Sequence, residues 1–475
     1  MLQICEVFFD YLNLHKIRYC HWKSNSAIQK SLTGRTDLDV LIHREDKDKF
    51  LDAIKQHDIK KIISPPDKTF PNLEDYLGFD NETGKFIHLH VHYDLILGQK
   101  FIKNHHLPIE DLFFDNLILE GNVYMPCPEL ELMLLVIRAN MKVDLLGLLK
   151  HAIKDIGSDH YTAYPRDIET ELAQLIGSSD KGKLFDLLAK SNLPLPESLF
   201  TNCISKFSEN RLKAFDIFIL QRQILKGLRT YRRDIGVKVE IKYLYLLLRN
   251  LPLITALFKP SKKTLTDTGK IISIVGADGS GKSTLVGDIT NWLSWKLSVR
   301  EYYYGIPKSR FNKLMFFVIR IADKFKLAVI RDLFECYLWT RIAKNRAAIN
   351  KQTFIDRCQN HLVVTDRFPL NDFQKMKEPM DGPRLNPGQN KLMEKCSESE
   401  KKHYDSLSMP DCIFVLKADV DVLRKRKTDL SYDTHSAKAT AVNALTAAPG
   451  FIFVDVSQDY PTVLLEIQRE IWKLI

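Results

Sequence analysis

The sequence predicts a multidomain α/β protein: a C-terminal parallel sheet covered by helices, a small α/β domain at the N-terminus, and a helical connector between them. Three observations carry this prediction. The 475 residues, 45% hydrophobic and 27% charged, exceed what a single hydrophobic core organises and suit two or three. Short apolar runs from Ile271 onward alternate with helical patterns, as the strands and crossovers of a parallel sheet do. Between Pro126 and about Phe258 the apolar spacing is helical almost throughout.

Taken in order, residues 1 to about 120 read as a helix through Tyr11, a strand near Asp39–Ile42, a helix from Lys47 to Gln56 and a strand from Phe86 to Leu97. The opening MLQICEVFFDYLNLHK is apolar, but Glu6 and Asp10 interrupt it and no small-residue cleavage site follows. It therefore reads as an amphipathic helix and not a signal peptide. No run reaches about 18 uninterrupted apolar residues, so a spanning helix is not expected. Eight cysteines are scattered without a C-x-x-C pair, unlike a disulfide framework or zinc ribbon, and a reducing cytoplasm is the expected compartment.

The formal net charge is +10, which suits anionic partners. Most of that excess falls in residues 206–270, which hold fifteen Lys/Arg against five Asp/Glu. Within them, IKYLYLLLRNLPLITALF pairs basic with apolar character. Lys242, Arg249 and Pro252 argue against insertion across a bilayer. Two readings stay open: a helix packing between domains with a solvated basic face, or a basic amphipathic helix lying on an anionic membrane surface. Lys259 to Gly269 reads as a linker. These divisions give domains at 1–125, 126–265 and 266–475.

After the linker, Ile271–Val275 has a buried-strand pattern. It runs into Gly276-Ala-Asp278-Gly279-Ser280-Gly281-Lys282-Ser283-Thr284 and then a helical LVGDITNWLSWKL. This is G-x-x-x-x-G-K-[ST] in its strand, loop and helix setting, the phosphate-binding P-loop. The glycines let the backbone curl so that successive N–H groups and the helix N-terminus point at phosphate oxygens. Lys282 is placed to reach the β- and γ-phosphates and Ser283 to ligate Mg²⁺, so ATP and Mg²⁺ are the expected cofactors. Asn360 to Asp366 is a second apolar strand ending in a carboxylate, the position from which an acid orients Mg²⁺ and its water. Pro410–Leu416 is a third, leading into a basic helical segment with Arg424 and Arg426, suited to clamp a transferred phosphate. Phe451–Val456 and the helix YPTVLLEIQREIWKLI close the domain.

These residues resemble the thymidylate kinase family of nucleoside monophosphate kinases. The loop with its inner Asp278 is similar to that family's D-G-x-G-K-[ST]-T variant. Asp366-Arg367-Phe368 resembles its D-R-[YF] motif, and Pro410-Asp411 its P-D before the next strand. The resemblance covers roughly the last 205 residues. It implies that Arg367 contacts the acceptor phosphate, that Arg346 matches an arginine on the preceding helix, and that Arg424 and Arg426 belong to the lid. Two departures qualify it. In place of an R-E-P-G-G-T acceptor loop the chain reads Glu301-Tyr-Tyr-Tyr304-Gly-Ile-Pro-Lys308, and its lid lacks a D-R-x-E run. The tyrosines are either strand residues or, as for Tyr304, a stacking surface for a ring-bearing substrate.

Near the N-terminus, Tyr19-Cys-His-Trp22-Lys23-Ser24-Asn25 is followed by Gly34-Arg-Thr-Asp37-Leu-Asp39. Alternation puts Asp37 and Asp39 on one strand face, where two carboxylates can share a divalent metal. The spacing resembles the nucleotidyltransferase superfamily, which has an h-G-[GS] turn, a D-x-D strand and a third acid on a later strand. Trp22-Lys23-Ser24 departs from the glycine turn. In Phe86–Leu95, His88, His90, His92 and Asp94 fall on one face, and either His90 or Asp94 completes the metal set.

The leading expectation is an ATP- and Mg²⁺-dependent phosphotransferase acting on a nucleoside monophosphate, fused to a nucleotidyltransferase-like domain. The alternatives are the same fold phosphorylating a sugar or surface-polysaccharide intermediate, and an ATP-binding scaffold docking on membrane or nucleic acid. The partners expected are a nucleotide or phosphorylated small molecule, an anionic membrane surface for 206–270, and a second copy of the chain in a homodimer.

Overall fold

The computed structural model describes residues 1–99, 102–143, 164–249, 262–370, 381–387, 390–428 and 431–475. The sequence-predicted helical segments at 144–163 and 250–258, and the start of the linker at 259–261, lie outside the described residues. The chain divides into two compact units, Met1–Ser261 and Lys262–Ile475. Among the described residues no helix is long and apolar enough to cross a membrane.

The first unit is built on strands β1 (Tyr19–His21), β2 (Leu38–Ile42), β3 (Lys60–Ile63), β4 (Leu73–Phe79) and β5 (Phe86–His92), in the order β1-β2-β5-β4-β3. β2 and β5 run parallel with Asp39 beside His90, while β4 runs antiparallel to β5 with Asp75 beside the same histidine. The period-two alternation of the strands separates their two faces. Leu38, Val40, Ile42, Ile87, Leu89 and Val91 pack with Phe8, Phe9 and Phe50 of the helices Gln3–Leu14 and Lys47–Gln56. The residues between them, among them Asp39, His90 and His92, face the other way.

A second core joins that side of the sheet to the helical segment. Cys20, Trp22 and Leu41 pack with Leu130, Leu134 and Ile137 of the helix Pro128–Lys142, which is buried along nearly its whole length. The helices Arg166–Ser178, Lys181–Lys190, Glu197–Ser208 and Ala214–Gly227 complete this core. The sequence boundary at 125/126 thus falls inside one compact unit. Within the basic stretch, the described helix Val237–Arg249 exposes Ile241, Leu244, Tyr245 and Leu248 and buries Leu246.

The second unit is a five-stranded sheet, parallel throughout. Its strands are β6 (Ile271–Gly276), β7 (Val299–Tyr303), β8 (Leu362–Asp366), β9 (Cys412–Lys417) and β10 (Phe451–Asp455), in the order β7-β8-β6-β9-β10. β6 is central and its run of Ile and Val is buried, as a strand covered on both faces requires. The chain fills positions on one side of β6 with β7 and β8, then crosses to the other side for β9. That reversal puts a crevice at the carboxyl ends of β6 and β8, where open α/β sheets hold ligands. The helices include Lys282–Leu293, which follows β6, and the 31-residue Ala328–Cys358, which precedes β8.

Candidate functional site

β6 ends at Gly276 and the helix Lys282–Leu293 begins after five intervening residues. Gly279 and Gly281 adopt φ of 89° and 88°, a conformation that costs a side-chain-bearing residue free energy. At Gly279 a Cβ would also lie 2.6 Å from the carbonyl of Leu423, so the loop lies flat against the helix Val420–Arg426. The turn aims the free N–H groups of the helix's first turn into the loop, a ready site for anions. Ser280 Oγ is buried there without a hydrogen-bond partner, and Thr284 is exposed on the first turn.

Lys282 is 6% exposed and donates to the carbonyl of Ala277 at 2.7 Å. Burial, reinforced by Arg367, pushes its ammonium down to about 8. Ser283 Oγ donates to Asp366 Oδ2 at 2.9 Å, and the other oxygen, Asp366 Oδ1, is buried without a hydrogen-bond partner. The parallel register of β6 and β8, Ile274 beside Asp366, brings the acid to the loop. A serine hydroxyl and a carboxylate with one oxygen free form an oxygen-only set that fits a hard cation such as Mg²⁺.

Arg367 follows with φ of 74°, an uncommon conformation for a residue that carries a side chain. Its guanidinium donates to Asp381 at 3.1 Å and to Asp278 at 3.4 Å. Arg346, 2% exposed, donates to the carbonyl of Tyr304, the hydroxyl of Tyr404 and Asp381 at 2.7, 2.7 and 2.8 Å. Asp381 therefore joins the two arginines. Tyr304 is 1% exposed, packed edge-on against Phe368 and hydrogen-bonded through its hydroxyl to Asn350. The tyrosine that reaches the surface beside Arg367 is Tyr303, 42% exposed, with the guanidinium 6.0 Å from its ring centre.

The basic segment differs from the expectation in which cations it turns inward. Arg424 and Arg426 are exposed, and Arg424 lies over the ring of Tyr432. The loop acid Asp278 is met instead by Lys438, at 2.5 Å, and by Lys427 at 3.9 Å. Lys438 sits on the helix Tyr432–Asn443, which His435 ties to the carbonyl of Lys427. Burial alone would raise the Asp278 carboxyl. Lys438, Lys282 and Arg367 outweigh it and hold the group far below the usual carboxylate range. Lys427 is the last residue of the basic run Arg424-Lys-Arg426-Lys427. Lys438 and Asp381 carry no sequence signal of their own, because their roles come from chain segments tens of residues away.

In the N-terminal unit Asp37 and Asp39 do share a face with the histidines. Asp37 lies 2.9 Å from His88 Nδ1, and His88 Nε2 lies 3.0 Å from Asp75. Asp39 Oδ1 is 2.7 Å from Lys23 Nζ, 3.0 Å from His90 Nδ1 and 3.8 Å from His92 Nε2. Asp94 does not join them, which corrects the expectation that it shares the histidines' face. β5 ends at His92, the alternation ends with it, and Asp94 turns to accept from Arg44 and from Asn72 at 2.6 Å. Ser24 adopts φ of 57°, the conformation usual for glycine, in the turn where the resemblance called for one. Burial alone would raise the Asp39 carboxyl, but Lys23 and His90 hold it well below its usual range. Burial lowers His90 and His92, and lowers Lys103 to about 7, with Lys23 adding to the lysine shift.

No protein-family model matches the chain, and no curated protein matches it. Among solved structures, the chain has similarity to a thymidylate kinase from Candida albicans, with a TM-score of 0.30 and 17% identity over 43% of this chain and 92% of that one.

Proposed function

We propose that the unit Lys262–Ile475 is an ATP- and Mg²⁺-dependent phosphotransferase that moves the γ-phosphoryl of ATP to a nucleoside monophosphate. The observation that carries this reading is the Ser283–Asp366 pair at the head of the loop, 2.9 Å apart with Asp366 Oδ1 left unpartnered. Bound there, Mg²⁺ would supply charge neutralisation to the phosphate oxygens. The loop N–H groups and Lys282 hold the phosphates, while Arg367 presents a second cation from the end of β8. An acceptor oxygen bonds to the γ-phosphorus as the bond to the ADP oxygen breaks, and the fixed cations stabilise the charge on the transferring group. Exposed Tyr303 beside Arg367 supports an acceptor that carries both a ring and a phosphate.

The test is transfer of labelled γ-phosphate from ATP to a panel of nucleoside monophosphates, sugars and sugar phosphates. Label on a nucleoside monophosphate is the expected outcome. Label on a sugar alone would leave the phosphotransferase and overturn its acceptor, and neither transfer nor hydrolysis would favour an ATP-binding scaffold.

For the N-terminal unit, the resemblance to nucleotidyltransferases is the second reading, favoured by Asp37 and Asp39 on one sheet face. It is tested by pyrophosphate release from nucleoside triphosphates. Release that survives Lys282→Met but not Asp37→Asn with Asp39→Asn is the outcome expected, and no release argues for a binding domain.

A further inference from the structure

The side of the N-terminal sheet that faces the helical segment carries three potential metal donors: Asp39 from β2, and His90 and His92 from β5. These donor atoms all lie within 4.8 Å of one another. His90 Nδ1 and His92 Nε2 stand 3.0 and 3.8 Å from the same carboxylate oxygen. A tetrahedral ion with bonds of about 2.1 Å holds its donors about 3.4 Å apart, between those two separations.

His92 supplies the second, independent observation. It is 0% exposed, and both of its ring nitrogens are buried without a hydrogen-bond partner. A buried imidazole always carries at least one polar N–H or lone pair that water would have satisfied, so leaving both nitrogens unpaired is costly. The ring is held in place by Trp22, centroids 4.9 Å apart at 71°, with Nε2 turned toward Asp39. A metal on Nε2 would satisfy the more central of the two nitrogens. On the far side of His90, Nε2 lies 4.0 Å from the buried Asp75, which Ser64 anchors at 2.6 Å. That separation is too long for a hydrogen bond, and the same Asp75 oxygen is engaged by His88 at 3.0 Å.

We propose that Asp39, His90 and His92 form a three-ligand site for a borderline divalent cation of the Zn²⁺ class, with an open fourth position. The inference is independent of the phosphotransferase reading. Two imidazoles and one carboxylate are a poor set for Mg²⁺ or Ca²⁺, which take oxygen ligands, and a good one for Zn²⁺ and its first-row neighbours. Asp37 stays outside the set, engaged with His88, and Asp94 stays outside it with Arg44 and Asn72. Lys23 now pairs with the Asp39 oxygen, so metal competes with its ammonium. Once displaced, that ammonium is a cation beside the open position, which suits an anionic fourth ligand.

The test uses the full chain, stripped with a chelator and titrated with Zn²⁺ against a chromophoric competitor and with Co²⁺ by visible absorption. One tight equivalent is expected. It should persist in about hundredfold excess Mg²⁺, because nitrogen donors disfavour that ion. Asp39→Asn and His90→Gln should each weaken it by about tenfold or more, while Asp94→Asn and Asp366→Asn leave it within about twofold. X-ray absorption at the zinc edge of the wild-type chain should show two imidazoles, a readout that holds even where a variant loses its fold. Absence of a tight equivalent, an oxygen-only shell, or an equivalent undiminished by both Asp39→Asn and His90→Gln would overturn the site.

Discussion

In the proposed phosphotransferase Lys282 and Asp366 would bear the phosphate chemistry, and each has a distinct expected defect. Lys282→Met keeps the buried stem and removes the charge. Transfer should fall on the order of 10²-fold or more, as other charge-stabilising donors do when removed, while thermal melting stays close to wild type. Asp366→Asn should lower Mg²⁺-dependent turnover far more than ATP affinity, measured by titration beside kinetics, because the carboxylate acts on the cation and not on base or ribose. Asp278 gives a pH signature. Its folded carboxyl lies below the ordinary value, so its stabilisation is complete above about pH 4 and is lost as pH falls below that. Melting temperatures between pH 7 and pH 3 should therefore drop less steeply in Asp278→Asn than in wild type. These motif residues were legible in the sequence because their spacing is itself the chemistry. Arg346 was legible only as a basic residue on a helix: its partners Tyr304, Asp381 and Tyr404 lie 35 to 58 positions away.

At the scale of elements, the helix Ala328–Cys358 uses Arg346 to bind β7's end to Asp381 and Tyr404. Arg346→Ala would take from Asp381 one of its two arginine partners, leaving Arg367, and would remove the donor to the carbonyl of Tyr304 and the hydroxyl of Tyr404; it should destabilise the unit in denaturant unfolding by about 1–3 kcal/mol for each group left unpaired. The basic helix Val420–Arg426 turns Arg424 and Arg426 outward, while the following helix turns Lys438 onto the loop acid. Lys438→Ala should accordingly reduce transfer more than Arg424→Ala, and equal effects would argue that these cations rearrange with substrate. Strands with continuous apolar runs, β6, β8 and β9, were readable because a doubly covered strand has no polar face to disguise it. β3 and β4 were missed: Lys60–Ile63 is too short and basic to stand out, and Leu73–Phe79 mixes acids with aromatics because its polar face carries Asp75 toward the histidines. The strand Phe86–Leu97 was read too long, since nothing in the alternation itself reveals that pairing stops at His92.

For the whole molecule, the chain has two compact units where the sequence suggested three. Helical periodicity marks Pro128–Lys142 as a helix, but only the shared core of Trp22, Leu41, Leu130 and Leu134 shows which sheet it completes. A fragment from Lys262 to Ile475 carries its own sheet and loop and should fold and bind ATP alone. The phosphotransferase is tested by label transfer from γ-labelled ATP to nucleoside monophosphates with Mg²⁺, wild type against Lys282→Met. Wild type should give a labelled nucleoside diphosphate and the variant a loss on the order of 10²-fold or more; equal transfer by the two proteins, or none by wild type to any monophosphate, would rule the proposed activity out.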